Sequence, residues 1–135
     1  MANFALLDAY LLINTVNMSA MAKKVTIKTS AAELDNTFFS STYHSKIGGL
    51  KDWSVDIDFN QDFAASQADV LLFPLLGTVV AFEARPTSGA RSATNPAYTG
   101  NILIKEYVPL DGAVGDLADF SVSWAGSGTL TRATS

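Results

Sequence analysis

The densest cluster of chemically capable side chains is Asp56-Ile-Asp-Phe-Asn-Gln-Asp62, which sets carboxylate and amide oxygens at alternate positions and invites comparison with a calcium-binding loop. The match fails in detail. With Asp56 at the first position, the sharp turn that needs glycine falls on Gln61 and the bidentate ligand on Gln67, and neither serves. Alternate carboxylates on the outward face of a strand explain the spacing by pleat alone. His44 is the only histidine and there is no cysteine, which excludes a histidine-based metal site, a cysteine zinc site and thiolate chemistry. A Ser-His-Asp triad would have to borrow His44 from a loop. No glycine-rich phosphate loop precedes a helix, and the serine-rich segments lack a positioned base. The expectation is therefore no catalytic residue, no cofactor and no metal, hence no enzyme. Trp53 and Trp124 could stack on sugars, but they fall on apolar strand faces, where large aromatics serve core burial.

The elements that must position these residues follow from hydrophobic period. Residues 51–59 alternate, with Trp53, Val55, Ile57 and Phe59 on one face and Asp52, Ser54, Asp56 and Asp58 on the other, the pattern of a half-buried strand. Residues 66–73 change to a helical pattern: Ser66 is placed to cap, Asp69 sits in the first turn, and Val70, Leu71, Leu72 and Phe73 form a wide apolar stripe. Pro74 ends the helix near Phe73, and Gly77 permits the turn into a strand over 78–84. A helix this short is marginal in water, so it must lie on a sheet.

The 135 residues suit one domain with a single core, and the formal charge of −4 with nine basic residues argues against a surface built to grip nucleic-acid backbone. The start of the chain lacks a basic leader, and no apolar run approaches the ~20 residues that span a bilayer, so a soluble, unprocessed protein with no membrane partner is expected. Residues 4–13 read as a strand with apolar side chains on both faces, as expected if one face meets the core and the other meets something else, a partner subunit being one candidate. Residues 23–28 alternate as a strand, 29–32 read as a bend, and 33–37 pair back. Residues 38–49 mix aromatics with small polar groups: a long loop, either folded back on the core or reaching out as a docking arm. Residues 85–96, with two prolines and two arginines, read as an exposed loop. Strands follow over 98–107, 118–124 and 129–132. Seven or eight strands and one helix predict a mainly β fold, a β-sandwich or partial barrel with one short flanking α-helix.

Several stretches resemble phage tail tube proteins: Gly48-Gly-Leu-Lys-Asp-Trp-Ser-Val55, then Phe59-Asn-Gln-Asp-Phe63 with the helix and Pro74-Leu-Leu-Gly77. The likeness continues through Val80-Ala-Phe-Glu-Ala-Arg-Pro-Thr-Ser88, Asn95-Pro-Ala-Tyr-Thr-Gly100 and Gly126-Ser-Gly-Thr-Leu-Thr-Arg-Ala133, and is similar to major tail proteins of long-tailed actinobacterial phages. The resemblance implies homo-hexameric rings stacked into a tube whose lumen passes DNA without binding it specifically. It also implies other tail proteins as partners (terminator, tape measure and distal tail), and a place in the virion tail after assembly in the bacterial host cytoplasm. On that reading Asp52, Asp56 and Asp58 are the candidate lumen-facing residues, since an acidic wall repels phosphate and leaves the duplex mobile. Phe38, Phe39, Tyr43, His44 and Ile47 form a candidate inter-ring arm, and Val70, Leu71, Leu72 and Phe73 the helix packing. The hydrophobic start with Met18 and Met21 departs from the pattern and leaves the N-terminal hairpin without a role. Two alternatives remain: another ring-forming virion protein, such as a tail terminator or decoration protein, and a carbohydrate-binding β-sandwich module.

Overall fold

The computed structural model describes residues 6–63 and 68–135, so the capping role expected of Ser66 and the start of the first expected strand lie outside the described residues. Among the described residues seven strands form: β1 (Tyr10–Ile13), β2 (Val16–Asn17), β3 (Ala22–Asp35), β4 (Lys46–Asn60), β5 (Val79–Arg85), β6 (Ala97–Leu103) and β7 (Asp119–Ala133). One helix, α1 (Ala68–Leu72), runs on into a 3-10 turn at Phe73–Leu75 that takes Pro74 in its first positions. The seven strands pair antiparallel throughout, in one sheet of order β2-β1-β5-β6-β7-β4-β3, the mainly β fold with a single short helix that the periodicity predicts.

The alternation of β4 sets the inside of this sheet. Trp53, Val55, Ile57 and Phe59 are buried with Phe120, Val122 and Trp124 of β7, Ile102 of β6, Val80 and Phe82 of β5, and Leu11 and Ile13 of β1. The sheet curls strongly. Strands β4 and β5 are three positions apart, which in a flat sheet would separate them by about 14 Å. Yet the rings of Trp53 and Phe82 have centroids 6.1 Å apart. The indole reaches Phe82 across β7 and β6 by lying over Gly126 and Gly100, where a Cβ would come within 2.1 and 2.7 Å of its atoms. Its Nε1 donates to the carbonyl of Gly128 at 2.9 Å. Met18 and Met21, unassigned by the sequence reading, belong to the core between β2 and β3. Asn14 and Thr15, both at positive φ (53° and 64°), make the two-residue turn of the β1–β2 hairpin.

Two expected breaks are absent. Residues 23–37 form no bend, because β3 pairs with β4 from Ala22↔Phe59 to Asp35↔Lys46 and takes up the irregularity in two register shifts. Likewise 118–124 and 129–132 are one strand, β7, which pairs first with β4 and then with β6. In both places a long partner ladder overrides turn-prone local composition.

The helix covers the core with Ala68 and Leu72, spaced i and i+4, both fully buried, and Leu71 is half-buried. Val70 and Phe73, grouped with them by sequence as packing residues, are exposed instead, since five helical residues turn one side inward and not four consecutive ones. Leu72→Asp is expected to lower stability by more than about 3 kcal/mol, because a carboxylate would be buried without a partner. A urea midpoint equal to that of the unsubstituted chain would contradict this packing.

Candidate assembly surfaces

Strand β7 accompanies β4 only from Ser54 to Asn60, after which β7 continues with β6 while β4 continues with β3 alone. Residues 29–35 and 46–53 therefore leave the sheet as a two-stranded arm, roughly 25 Å long at the usual rise per residue. Apart from Gly49 and the buried Trp53 at its base, its residues are exposed on both faces. An isolated two-stranded ribbon is at best marginally stable in water, so such an arm is built to be covered. Ile47 is part of β4 rather than of the loop, opposite Leu34, whose side chain lies 3.2 Å from where a Cβ on Gly49 would stand.

The tip, residues 36–45, is held by polar bonds. The Asn36 N–H donates to the Ser45 carbonyl at 2.9 Å, and the Ser45 N–H donates to Thr37 Oγ1 at 2.8 Å. Asp35 Oδ1 accepts from the Thr37 N–H at 2.8 Å and from the Thr37 hydroxyl. The Thr37 hydroxyl, its backbone N–H and His44 together hold the Asp35 carboxyl below its ordinary range. His44 Nδ1 lies 3.5 Å from Asp35 Oδ2, a structural contact at the arm's throat. With the throat closed this way, Phe38, Phe39 and Tyr43 stand 72, 98 and 84% exposed.

Asp52, Asp56 and Asp58 lie on the face of β4 opposite the core residues, with Asp56 between Thr26 and Ser123, and Asp58 between Lys24 and Ser121. Asp52 sits in the arm, while the other two sit in the sheet. The neighbouring lysine moderates the row: the face is mixed, acidic on β4 and basic at Lys24 and Lys28 on β3. The three carboxylates are spread along extended strand, and among the described residues no group of three His, Asp or Glu gathers to hold a metal ion.

At the far end of β4 from the arm, α1 meets the segment after β6. Tyr107 donates its hydroxyl to Asp69 Oδ1 at 2.7 Å and accepts from Gln61 Nε2 at 3.0 Å, while its ring stands edge-on to Phe120 at 5.3 Å. Burial and the bond to Asp69 push the Tyr107 hydroxyl up to about 12. Trp124 Nε1 donates to the Glu106 carbonyl at 2.9 Å. Both tryptophans are thus buried with satisfied N–H groups, which leaves neither as a platform for a sugar.

The loop over 86–96 is surface-bound but fixed, and sequence reasoning missed what fixes it. Glu83 is buried; burial pushes its carboxyl up, but bonds from Arg91 Nη2 at 2.5 Å and Arg85 Nε at 2.6 Å outweigh this and hold it below the ordinary range. Arg85 also lies 4.2 Å over the Tyr10 ring. Asn95, buried, donates to the carbonyls of Gly89 and Ala90 and accepts from the Thr87 N–H. The available signal was that Glu83 and Arg85, two apart on a strand, share one face. Among the described residues no helix is long and apolar enough to cross a membrane.

No protein-family model and no curated protein matches the chain. Solved structures do. A chain of the virion of a native gene transfer agent particle matches with a TM-score of 0.67 at 19% identity, over 90% of this chain and 94% of that one. A chain of the tail of an empty gene transfer agent particle, refined with helical C6 symmetry, matches with a TM-score of 0.68 at 18% identity over the same shares. At this identity the likeness establishes a common fold.

Proposed function

We propose that this protein is a structural subunit of a phage-type tail: copies close into six-membered rings, and the rings stack into a tube that conducts DNA. The observation that carries the reading is the shared fold, over nine-tenths of the chain, with a chain from a tail of C6 symmetry. The exposed arm supports it, since a stacked polymer needs a contact that propagates rather than closes, and a projecting ribbon at one end supplies half of one. The role is architectural rather than catalytic, in the virion tail after assembly in the bacterial host cytoplasm, beside terminator, tape-measure and distal-tail proteins. Negative-stain microscopy of the purified protein tests it: tubes or stacked rings are expected, and rings that never stack would point to a terminator-like component instead.

On this reading Asp56 and Asp58, with Asp52 towards the arm, face the channel. They oppose the core on the same strand, so they must meet water, and six copies per ring multiply their field. The repulsion among them is screened over roughly 8 Å at physiological ionic strength, which suits a wide wet channel better than a tight interface. With Lys24 beside Asp58, the repulsion of DNA rests chiefly on Asp56. Changing Asp56 and Asp58 together to Lys is expected to leave folding intact and to slow DNA release by roughly tenfold or more. Unchanged release from particles shown to contain the variant would place the row on the outer surface and leave the tube assignment standing.

A further inference from the structure

The segment 68–76 is apolar on two sides. Its inward side is satisfied by Ala68 and Leu72, but Val70, Phe73 and Leu76, three residues apart along one helical path, stand 50, 62 and 48% exposed. Spacing of this kind lines up on one face, and a helical segment that is hydrophobic all round is ordinarily covered. Among the described residues Phe73 meets the edge of the Tyr107 ring, with centroids 6.3 Å apart, yet all three side chains stay about half or more open to solvent.

Charge identifies what fits there. The segments that hold and adjoin the stripe, residues 61–76 and 104–118, carry Asp62, Asp69, Glu106, Asp111 and Asp116 against Lys105. The surroundings of the stripe are therefore acidic. Two such ends repel one another, whereas the opposite end, with the arm, is close to neutral and presents Phe38, Phe39 and Tyr43. Matching apolar groups sit at opposite ends of one strand, and only the head-to-tail arrangement brings them together without opposing like charge.

We infer that the arm tip of one copy seats on the Val70, Phe73 and Leu76 stripe of the next copy, so that this stripe is the receiving half of the stacking contact. The inference rests on the proposed stacking of rings and adds the seat. It makes direction a property of the single chain, because a seat displaced from its own arm along β4 is a heterologous contact that points one way.

Because the chain has no cysteine, placed cysteines report the contact directly. Phe39→Cys and Phe73→Cys proteins are purified separately, mixed under conditions in which the unsubstituted protein assembles, and oxidised. Disulfide-linked dimers are expected from the mixture, at least tenfold above the yield of either variant alone or of Phe39→Cys mixed with Ser123→Cys on the sheet face that carries Asp56. Val70→Cys serves as a second receiving position, with the same result expected, should the Phe73 variant not fold. Assembled particles without the 39–73 or 39–70 link would overturn the seat and leave stacking in place. Failure of the unsubstituted protein to assemble would overturn the stacking reading, and the seat with it.

Discussion

Replacing Gly126 by alanine is expected to lower the unfolding free energy by roughly 3 kcal/mol, a large effect for one added methyl. A Cβ at this position would lie 2.1 Å from Trp53 Cε2, 2.3 Å from Nε1 and 2.4 Å from Cδ2, well inside contact distance. The indole has no room to retreat: it meets Phe82 on the far side of the curl, and its N–H is tied to the Gly128 carbonyl. Displacing it would strand that N–H in a buried position and open the junction where the arm leaves the sheet. The strain belongs to the pair, so a mutant cycle isolates it. In a Trp53→Leu background, Gly126→Ala should cost less than about 1 kcal/mol by urea denaturation, because the shorter side chain leaves space. Equal costs in both backgrounds would show that the glycine serves its own backbone and not the tryptophan.

Changing Phe38, Phe39 and Tyr43 together to serine is expected to abolish tubes while leaving the subunit folded. These side chains are almost wholly exposed, so their removal takes little from the core, and substitutions of that kind ordinarily change stability by no more than about 0.5 kcal/mol each. Large aromatics at a contact are where binding energy concentrates, and each lost anchor costs about 2 kcal/mol or more in a well-packed interface. Six contacts per ring would multiply the loss beyond what stacking could tolerate. Deleting residues 40–45 should act in the same direction, also breaking the Thr37 to Ser45 closure of the tip. The check is circular dichroism and denaturation for the fold beside microscopy for the polymer. Tubes of normal length from the triple variant would exclude the arm from stacking.

How much of this was legible in the sequence depends on how local each feature is. The inward row Trp53, Val55, Ile57 and Phe59 was readable because a pleat repeats every two residues, and the acidic row opposite followed from the same count. The length of β3 and β7 was not, since pairing with a partner dozens of residues away decided whether Thr29-Ser-Ala-Ala32 or Gly126-Ser-Gly128 turned or ran straight. The need for glycine at position 126 is set by Trp53, on another strand, and no local pattern reveals it. Of the candidate site residues, Phe38, Phe39 and Tyr43 stood out by composition, a run of aromatics with nothing near in sequence to bury them. The helix misled, because Val70, Leu71, Leu72 and Phe73 are equally apolar and only the direction of the sheet separates the buried Leu72 from the exposed Val70 and Phe73. The clamp of Arg85 and Arg91 on Glu83 was hidden for a different reason. A carboxylate in a strand reads as outward and solvated, and only the loop folding back across it makes it buried and paired.

A reconstruction of the polymer formed by the purified chain is expected to show rings of six copies stacked along one axis, with the arm of residues 29–53 ordered between successive rings and Asp56 and Asp58 on the channel wall. A polymer of other symmetry, or six-fold rings whose arms lie free in solvent without touching a neighbouring ring, would contradict this arrangement.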